Sequence, residues 1–398
     1  MKLKSLPEDF QVEELSDFLP DGGPYAAYRL TKRGLGTPEV VAAIARRWKI
    51  DRRHISVGGL KDRHAVTTQW ITIYHGPQRN LEQTNFRLAY QGQASRPFAS
   101  QDIGANRFVI TLRDLSAAEV RRAEQALPRL AEEGLPNYFD QQRFGSVGES
   151  GEFVARAWCV GEWERAIWLA VADPNPHDRP RQRAERRLLA QHWGQWDWLG
   201  KRLRSSPARE VAAYLAHHPG DFRGAHKVLP AELRRLCAAT YQSYLWNRLL
   251  ARWLRDHFGP EQLADVAVGR WTLPFPRQID PEERPRLASL VVPLPSGRDT
   301  LQDCEFRPLV EKVLAGEGLN LAQLRLRWPR RTFFSKGGRK AWVFPRGLEI
   351  QSREDELALG RWAVVLRFEL PRGAYATVVT KGLKVAMHEP PSPQGWPP

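Results

Sequence analysis

Hydrophobic and polar positions alternate with period two in KSLPEDFQVEEL. Phe10 and Val12 take one face and Gln11 and Glu13 the other, which predicts a short strand after a turn at Pro7. Asp21-Gly22-Gly23-Pro24 turns the chain into a second predicted strand, Tyr25 to Thr31. The period then changes. Thr37-Pro38 opens a helix, with Thr37 as N-cap and Pro38 at the first helical position. Val40, Val41, Ile44 and Trp48 form its apolar stripe, and Arg46, Arg47 and Lys49 sit where positive charge suits the helix dipole. A β-rich run covers residues 65–73. From Asn106 to Arg113, Phe108, Ile110 and Leu112 alternate with Arg107, Val109, Thr111 and Arg113, a half-buried strand with its basic residues expected on a wet face. Ser116 and Glu119 fit a capping box for a helix running to about Leu130 and closed by Gly134.

Beyond about residue 155 the pattern shifts. Arg and Trp crowd together through Arg181, Arg183, Arg186, Arg187 and Trp193, and helical periodicity runs on to Phe258 through Leu233, Leu236, Thr240, Tyr244 and Trp253. Residues 271–299 carry six prolines (Pro274, Pro276, Pro281, Pro285, Pro293, Pro295) and read as a long irregular connection. Strand alternation returns at 363–370, and the final HEPPSPQGWPP is expected to be disordered. Strands and helices, then an α-rich stretch, then strands again predict an α+β fold interrupted by an insertion. The expected boundaries are 1–155 and 326–385 for the interrupted domain, 156–325 for the insert, and 386–398 for the tail.

Charge changes this picture from architecture to partner. The 398 residues hold 60 Lys+Arg against 45 Asp+Glu, a formal +15, together with 15 Trp, which points to a polyanion, most simply nucleic acid. Cys159, Cys237 and Cys304 are too far apart for a zinc site or a disulfide framework and suit a reducing compartment. The N-terminus has no signal-peptide core, and no run of about 18 apolar residues exists to span a membrane. A cytoplasmic protein with no membrane partner, acting as a monomer, is expected.

Several chemistries lack their pattern. There is no GxxxxGK[ST], no strand–GxGxxG–helix unit, no GxSxG and no HExxH, and adjacent His217 and His218 do not share a helix face. What remains is VGGLKDRHAVTTQWITI, residues 57–73. Gly58 and Gly59 are expected to permit positive φ or close approach, and Asp62 stands between Lys61 and Arg63. Those two cations are expected to lower its pKa and keep it an anion, suited to a nucleophile or electrostatic partner rather than a general acid. A metal site would recruit further carboxylates, and this turn offers cations, so no metal is expected. Aromatic side chains on nearby strands would stack a base drawn from its helix, although Phe108, on its residues alone, reads as core.

GGLKDRHAVTTQW closely resembles the catalytic motif of TruD-type tRNA pseudouridine synthases, and four further motifs follow in family order. KSLPEDFQVEE is similar to the family's F-x-V-x-E strand, GANRFVITL to its G-N-x-F strand, PNYFDQQRFG to its P-N-Y-F-G-x-Q-R-F-G loop with Asp140 in place of glycine, and FELPRGAYATVV to its C-terminal element. The resemblance implies a pseudouridine synthase fold with a central mixed, largely antiparallel sheet and a divergent inserted domain. It implies Asp62 as catalytic aspartate, Asn106 orienting it, Phe108 stacking the uridine, Lys4 paired with the aspartate, and Lys61 and Arg63 in support. RNA contacts are expected at Phe10, Glu13, Phe139, Gln142, Arg143 and Phe144, with Arg181, Arg183, Arg186 and Arg187 added by the insert. The implied substrate is a uridine in the tRNA D-arm, position 13, handled without cofactor. One departure is the segment ASRPFASQDIGAN, where the family often shows a basic run and this chain has only Arg96; RNA contact is expected to have moved to the insert. A different class, a non-catalytic RNA-binding or RNA-chaperone protein, would use the same basic surface without turnover.

Overall fold

Alternation in the first third of the chain becomes a ten-stranded sheet in the computed structural model. The structure describes residues 1–388 apart from 176–177, 205, 299–300, 302–303 and 330–331. The last ten residues, most of the expected tail, lie outside the described residues. In chain order come β1 (Lys2–Leu3), β2 (Phe10–Leu15), β3 (Tyr25–Arg33), α1 (Thr37–Trp48), β4 (Ile55–Val57), β5 (Val66–Tyr74), β6 (Leu81–Gln83), β7 (Phe86–Ala94), β8 (Ala105–Leu115) and α2 (Ala117–Glu133). Strands Arg346–Glu354 and Trp362–Pro371 and helix Ala376–Met387 return to the same unit. The sheet runs Arg346–Glu354, Trp362–Pro371, β8, β2, β5, β3, β7, β6, with β1 on β8 and β4 on β5. Every pairing in it is antiparallel except β2 with β5. This is the mixed, largely antiparallel sheet that the resemblance implied.

Both faces of the β3–β5 region are covered. Val40, Val41 and Ile44 of α1 pack with Tyr28, Leu30, Ile71, Ile73 and Leu88 on one face, while Phe18, Ala27, Trp70, Phe98 and Ile103 cluster on the other. Each large apolar side chain fully buried here contributes about 1.5–3 kcal/mol. The Ser116–Glu119 capping box forms, with Ser116 Oγ accepting from Glu119 N, and the helix continues past Pro128 to Glu133 before Gly134 ends it at φ 64°.

Two expectations about this unit change. Arg113 lies on no wet face: it is buried and ion-pairs with Asp9 and Asp355 at 2.8 Å and Glu356 at 2.9 Å, because β8 is covered at that end by the Asp9 turn and the 355–356 turn. Thr37 is not the helix cap. Gly36 holds that position, its N–H donating to Glu39 Oε2 at 2.9 Å, while the Thr37 hydroxyl is committed elsewhere.

The second unit spans Pro136–Trp342, wider at both ends than the expected 156–325. Its axis is the helix Ala231–His257, which buries Tyr241, Trp246, Leu250 and Leu254 and leaves Leu236 exposed. The boundary moves because the loop after residue 136 is bonded into this unit: Asn247 bridges Phe139 N and O at 2.9 and 2.8 Å, and Arg339 donates to Asn137 O. Nor is 271–299 irregular throughout. It holds strand Trp271–Pro276, helix Arg284–Ser289 and strand Val291–Pro293. Pro274 and Pro276 are tolerated because the first strand belongs to a two-stranded ribbon with Leu263–Val268, and residues two apart share the edge turned away from the partner. Burial pushes the thiols of Cys159 and Cys237 up to about 12, so neither is a ready nucleophile. Among the described residues no helix is long and apolar enough to cross a membrane.

Candidate active site

Two segments distant in sequence bring Lys4 and Asp62 together. β2 and β5 run parallel with Gln11 opposite Val66, so the residues just before each strand emerge at the same end. Lys4 precedes β2, and its backbone takes φ 60°, a left-handed conformation that costs a non-glycine residue roughly 1–2 kcal/mol. Its ammonium donates to Asp62 Oδ2 at 2.7 Å and lies 3.9 Å from the centroid of the Phe10 ring. The two side chains keep 22% and 27% of their surface exposed, enough for an incoming group to reach the carboxylate.

The segment 58–65 that carries Asp62 has no regular structure and is held by side chains. Gln69 Nε2 donates to Gly59 O at 3.1 Å. Thr37 Oγ1 donates to Gln69 Oε1 at 2.9 Å and accepts from Lys61 N at 3.0 Å, which is where the missing cap hydroxyl went. Lys32 Nζ donates to Leu35 O at 2.6 Å, Asp62 O at 2.7 Å and Lys61 O at 3.5 Å. Of the two roles expected for the glycines, the structure shows close approach, at Gly58. Neither Gly58 nor Gly59 has positive φ, and a Cβ on Gly58 would meet Phe98 Cε1 at 2.5 Å and Ile103 Cδ1 at 2.9 Å, so Gly58 serves close packing beneath the loop.

The sequence neighbours of Asp62 also point elsewhere. Lys61 Nζ lies 3.0 Å from Glu14 Oε1 and donates to Asn106 Oδ1 at 2.6 Å, and Arg63 lies 3.4 Å from Glu39. The Glu14 side chain is fully buried, and its Oε2 accepts from Trp70 N at 3.0 Å. Lys61 and Arg63 are drawn to Glu14 and Glu39, so the expected clamp of Lys61 and Arg63 gives way to Lys4, brought from 58 residues away. Asn106 stands beside this arrangement through its bond to Lys61.

An aromatic layer lies under Lys4. Phe108 and Phe368 face each other across the β8 pairing with rings stacked at 5.5 Å, and Phe10 meets Phe108 edge-on at 6.2 Å. Phe10 is 3% and Phe108 7% exposed. Phe10 is therefore support for Lys4 rather than an RNA surface, and Glu13 is engaged by Arg29 at 2.9 Å and Arg107 at 3.5 Å.

The remaining expected RNA contacts belong to the second unit, and several are structural there. Phe139 is buried edge-on against Trp246 with the Arg339 guanidinium 4.1 Å from its centroid, and Phe144 is buried against Trp271 at 4.6 Å. Neither buried ring presents a face for a base. Arg143 is half-buried with Nε donating to Ser243 Oγ at 2.9 Å, and Gln142 is exposed. Asp140, unusual for this motif, accepts from Gln141 N at 2.7 Å and caps the short 3-10 turn Gln141–Phe144. On helix Pro180–Gln191, Arg181 and Arg187 are exposed, and Arg183 is half-buried. Arg186 braces the preceding helix, donating to Asp173 O at 2.9 Å and pairing with Asp178 at 2.9 Å. Arg96 is likewise paired, with Asp102 at 2.8 Å.

Glu14, Lys32 and Gln69 were missed by sequence reasoning. A signal existed for two of them: Glu14 shares strand parity with Phe10 and Val12, and Lys32 shares it with Tyr28 and Leu30. Each is thus an ionisable residue on a face that otherwise reads as buried. No three His, Cys, Asp or Glu side chains gather as a metal site would require among the described residues.

A mixed ten-stranded sheet with a lysine–aspartate pair beside the Phe10 and Phe108 rings, and a second α-rich unit inserted in the chain, matches the pseudouridine synthase architecture that the motifs imply. Comparison with known proteins agrees. A solved structure from Methanosarcina mazei, described as a candidate tRNA pseudouridine synthase D (TruD), superposes with a TM-score of 0.68 at 27% identity, over 97% of this chain and 93% of that one. The curated relative "Probable tRNA pseudouridine synthase D 2" of Methanocaldococcus jannaschii is 31% identical, covering 96% of this chain and 91% of its own length. The tRNA pseudouridine synthase D of Aquifex aeolicus is 28% identical, with 96% and 98% covered. The family model for tRNA pseudouridine synthase D (TruD) matches residues 1–383, and the chain belongs to that family.

Proposed function

We propose that this protein converts a uridine in the D-arm of tRNA, position 13, to pseudouridine, with Asp62 as the catalytic carboxylate and no metal or organic cofactor. The observation that carries this reading is the part-exposed Lys4–Asp62 pair at 2.7 Å, with the Lys4 ammonium over the Phe10 ring that meets Phe108 edge-on. Isomerisation breaks the N1–C1′ bond, forms C5–C1′, moves a proton from C5 and leaves one on N1, so no electrons enter or leave. An ionised carboxylate serves at the first step, whether it attacks C1′, adds to C6 or assists a glycal route. Lys4, donating to Oδ2 at 2.7 Å, orients the carboxylate. The exposed remnant of Phe108 would receive the uracil ring, with Asn106 and Lys61 holding the loop beside it. Arg63, Arg143 and Gln142 would border the RNA, and exposed Arg181 and Arg187 would meet phosphates. The same reading has the enzyme act in the cytoplasm as a monomer.

Asp62→Asn should leave tRNA binding within about twofold while abolishing pseudouridine formation, mapped by carbodiimide labelling of unmodified total tRNA. Retained conversion in that variant would sink the mechanism. Labelling at a position other than 13 would refute the target and leave the chemistry standing.

A further inference from the structure

The loop bearing Asp62 has no ladder of its own, so its carboxylate is only as well placed as the side chains that grip its backbone. Lys32 grips it from below. It continues the buried row of Tyr28 and Leu30 on β3 and is 1% exposed. An ammonium carries three N–H donors and no acceptor, and here it faces three carbonyl oxygens, those of Leu35, Asp62 and Lys61. A buried charge is costly to keep, and a site selected for packing alone would take leucine or methionine.

We propose that Lys32 is a positioning residue for Asp62, its ammonium tying the Lys61 and Asp62 carbonyls to the Leu35 turn and so fixing the carboxylate against Lys4. The inference rests on reading Asp62 as the reacting carboxylate. It carries a pH signature. A neutral amine has two N–H groups and a lone pair, so one of the three carbonyls would face a lone pair instead of a donor. Burial pushes the Lys32 ammonium down to about 8; the Asp62 charge opposes this, Lys61 adds to it, and Glu39 of α1 opposes it. Turnover should therefore fall as pH rises past about 8. Stability should move the other way. Between about 8 and the ordinary lysine value of 10.5 the unfolded chain binds more protons than the folded one, so this group's contribution to stability rises with pH.

The test uses the full chain with unmodified tRNA transcript, comparing wild type, Lys32→Met, Lys32→Gln and Asp62→Asn for kcat, KM and Tm from roughly pH 6.5 to 9. Misplacing a reacting group by about 1 Å costs on the order of 10²-fold, so Lys32→Met should lose kcat on that order, with KM within about twofold and no alkaline decline of its own. Lys32→Gln, with two donors on a shorter arm, should fall between. The wild type should lose kcat above about pH 8 without a matching loss of Tm. A folded Lys32→Met with kcat within about threefold of wild type overturns the inference. If neither Lys32 variant folds, the wild-type profile decides: kcat level to pH 9, or falling in step with Tm, overturns it equally. Active Asp62→Asn would remove the underlying reading and this inference with it, whereas inactive Asp62→Asn beside a fully active Lys32→Met removes this inference alone.

Discussion

Replacing Lys61 with methionine separates two accounts of the residue before Asp62. If Lys61 were a surface cation beside the aspartate, the change would leave stability nearly untouched, since exposed charge pairs contribute about 0–1 kcal/mol. In the structure Lys61 is instead one half of a buried pair. Its side chain is 10% exposed and that of Glu14 is 0%, with Nζ 3.0 Å from the carboxylate and 2.6 Å from Asn106 Oδ1. Methionine keeps the length of the stem and removes the charge. Glu14 then retains its hydrogen bond from Trp70 N and loses its counter-ion, and breaking a buried pair in this way costs about 3–5 kcal/mol. At the lower end, with roughly 2–4 °C per kcal/mol for a unit of 150–250 residues, Tm should drop by roughly 6–12 °C. Scanning calorimetry on Lys61→Met, Glu14→Gln and the double variant closes the cycle. The double variant, with both charges gone, should recover more than half of the loss. A single variant melting within about 2 °C of wild type, or a double variant no more stable than the single, would refute the buried-pair account.

Acid should act on the Arg113 cluster. The Arg113 hydrogen bond holds Glu356 down to about 2, and Asp355 is also lowered: burial works against its ionisation, but hydrogen bonds from Leu357 N, Asp114 N and Arg113 outweigh it. Because these folded-state values lie below the unfolded ones, their stabilisation is complete above the ordinary carboxylate range and is lost as pH falls towards 2. Arg113→Met should lose stability at pH 7 and regain part of it on mild acidification, opposite in sign to wild type; parallel acid curves by far-UV circular dichroism would contradict this. On the RNA side, Arg181→Gln with Arg187→Gln should weaken tRNA binding and lower the slope of log affinity against log salt by about 0.7–0.9 for each phosphate contact removed. An unchanged slope would take this helix out of the RNA interface. Arg186 is best left intact in that experiment, because its guanidinium braces the preceding helix.

Legibility in the sequence followed the range of the interaction. Strands β2, β3, β5 and β8, helices α1 and α2 and the Ser116–Glu119 cap could be read because alternation, helical stripe and cap chemistry involve residues a few positions apart. The 271–299 stretch was misread because proline bars a strand only where its missing N–H is needed, and which edge faces a partner is set by pairing. Phe139 and Phe144 looked like RNA contacts in a loop motif, yet the motif's aromatic residues fill the interior around Asn247 and Trp271.

By itself the sequence determined that Asp62 stands on a glycine-led turn before a strand, in a basic chain whose motifs match one family from end to end. It could not assign that carboxylate its surroundings. Lys4 was reached through resemblance alone, Lys32 and Glu14 not at all, and Lys61 and Arg63, beside Asp62 in sequence, pair with Glu14 and Glu39 in space, because charge acts through space and not along the chain. The tertiary structure decided which cation meets Asp62, which hold its loop, and that Gly58 is there to let Phe98 pack beneath it. Parallel pairing of β2 with β5 is the physical reason: it brings residue 4 to residue 62, and no local pattern encodes that register.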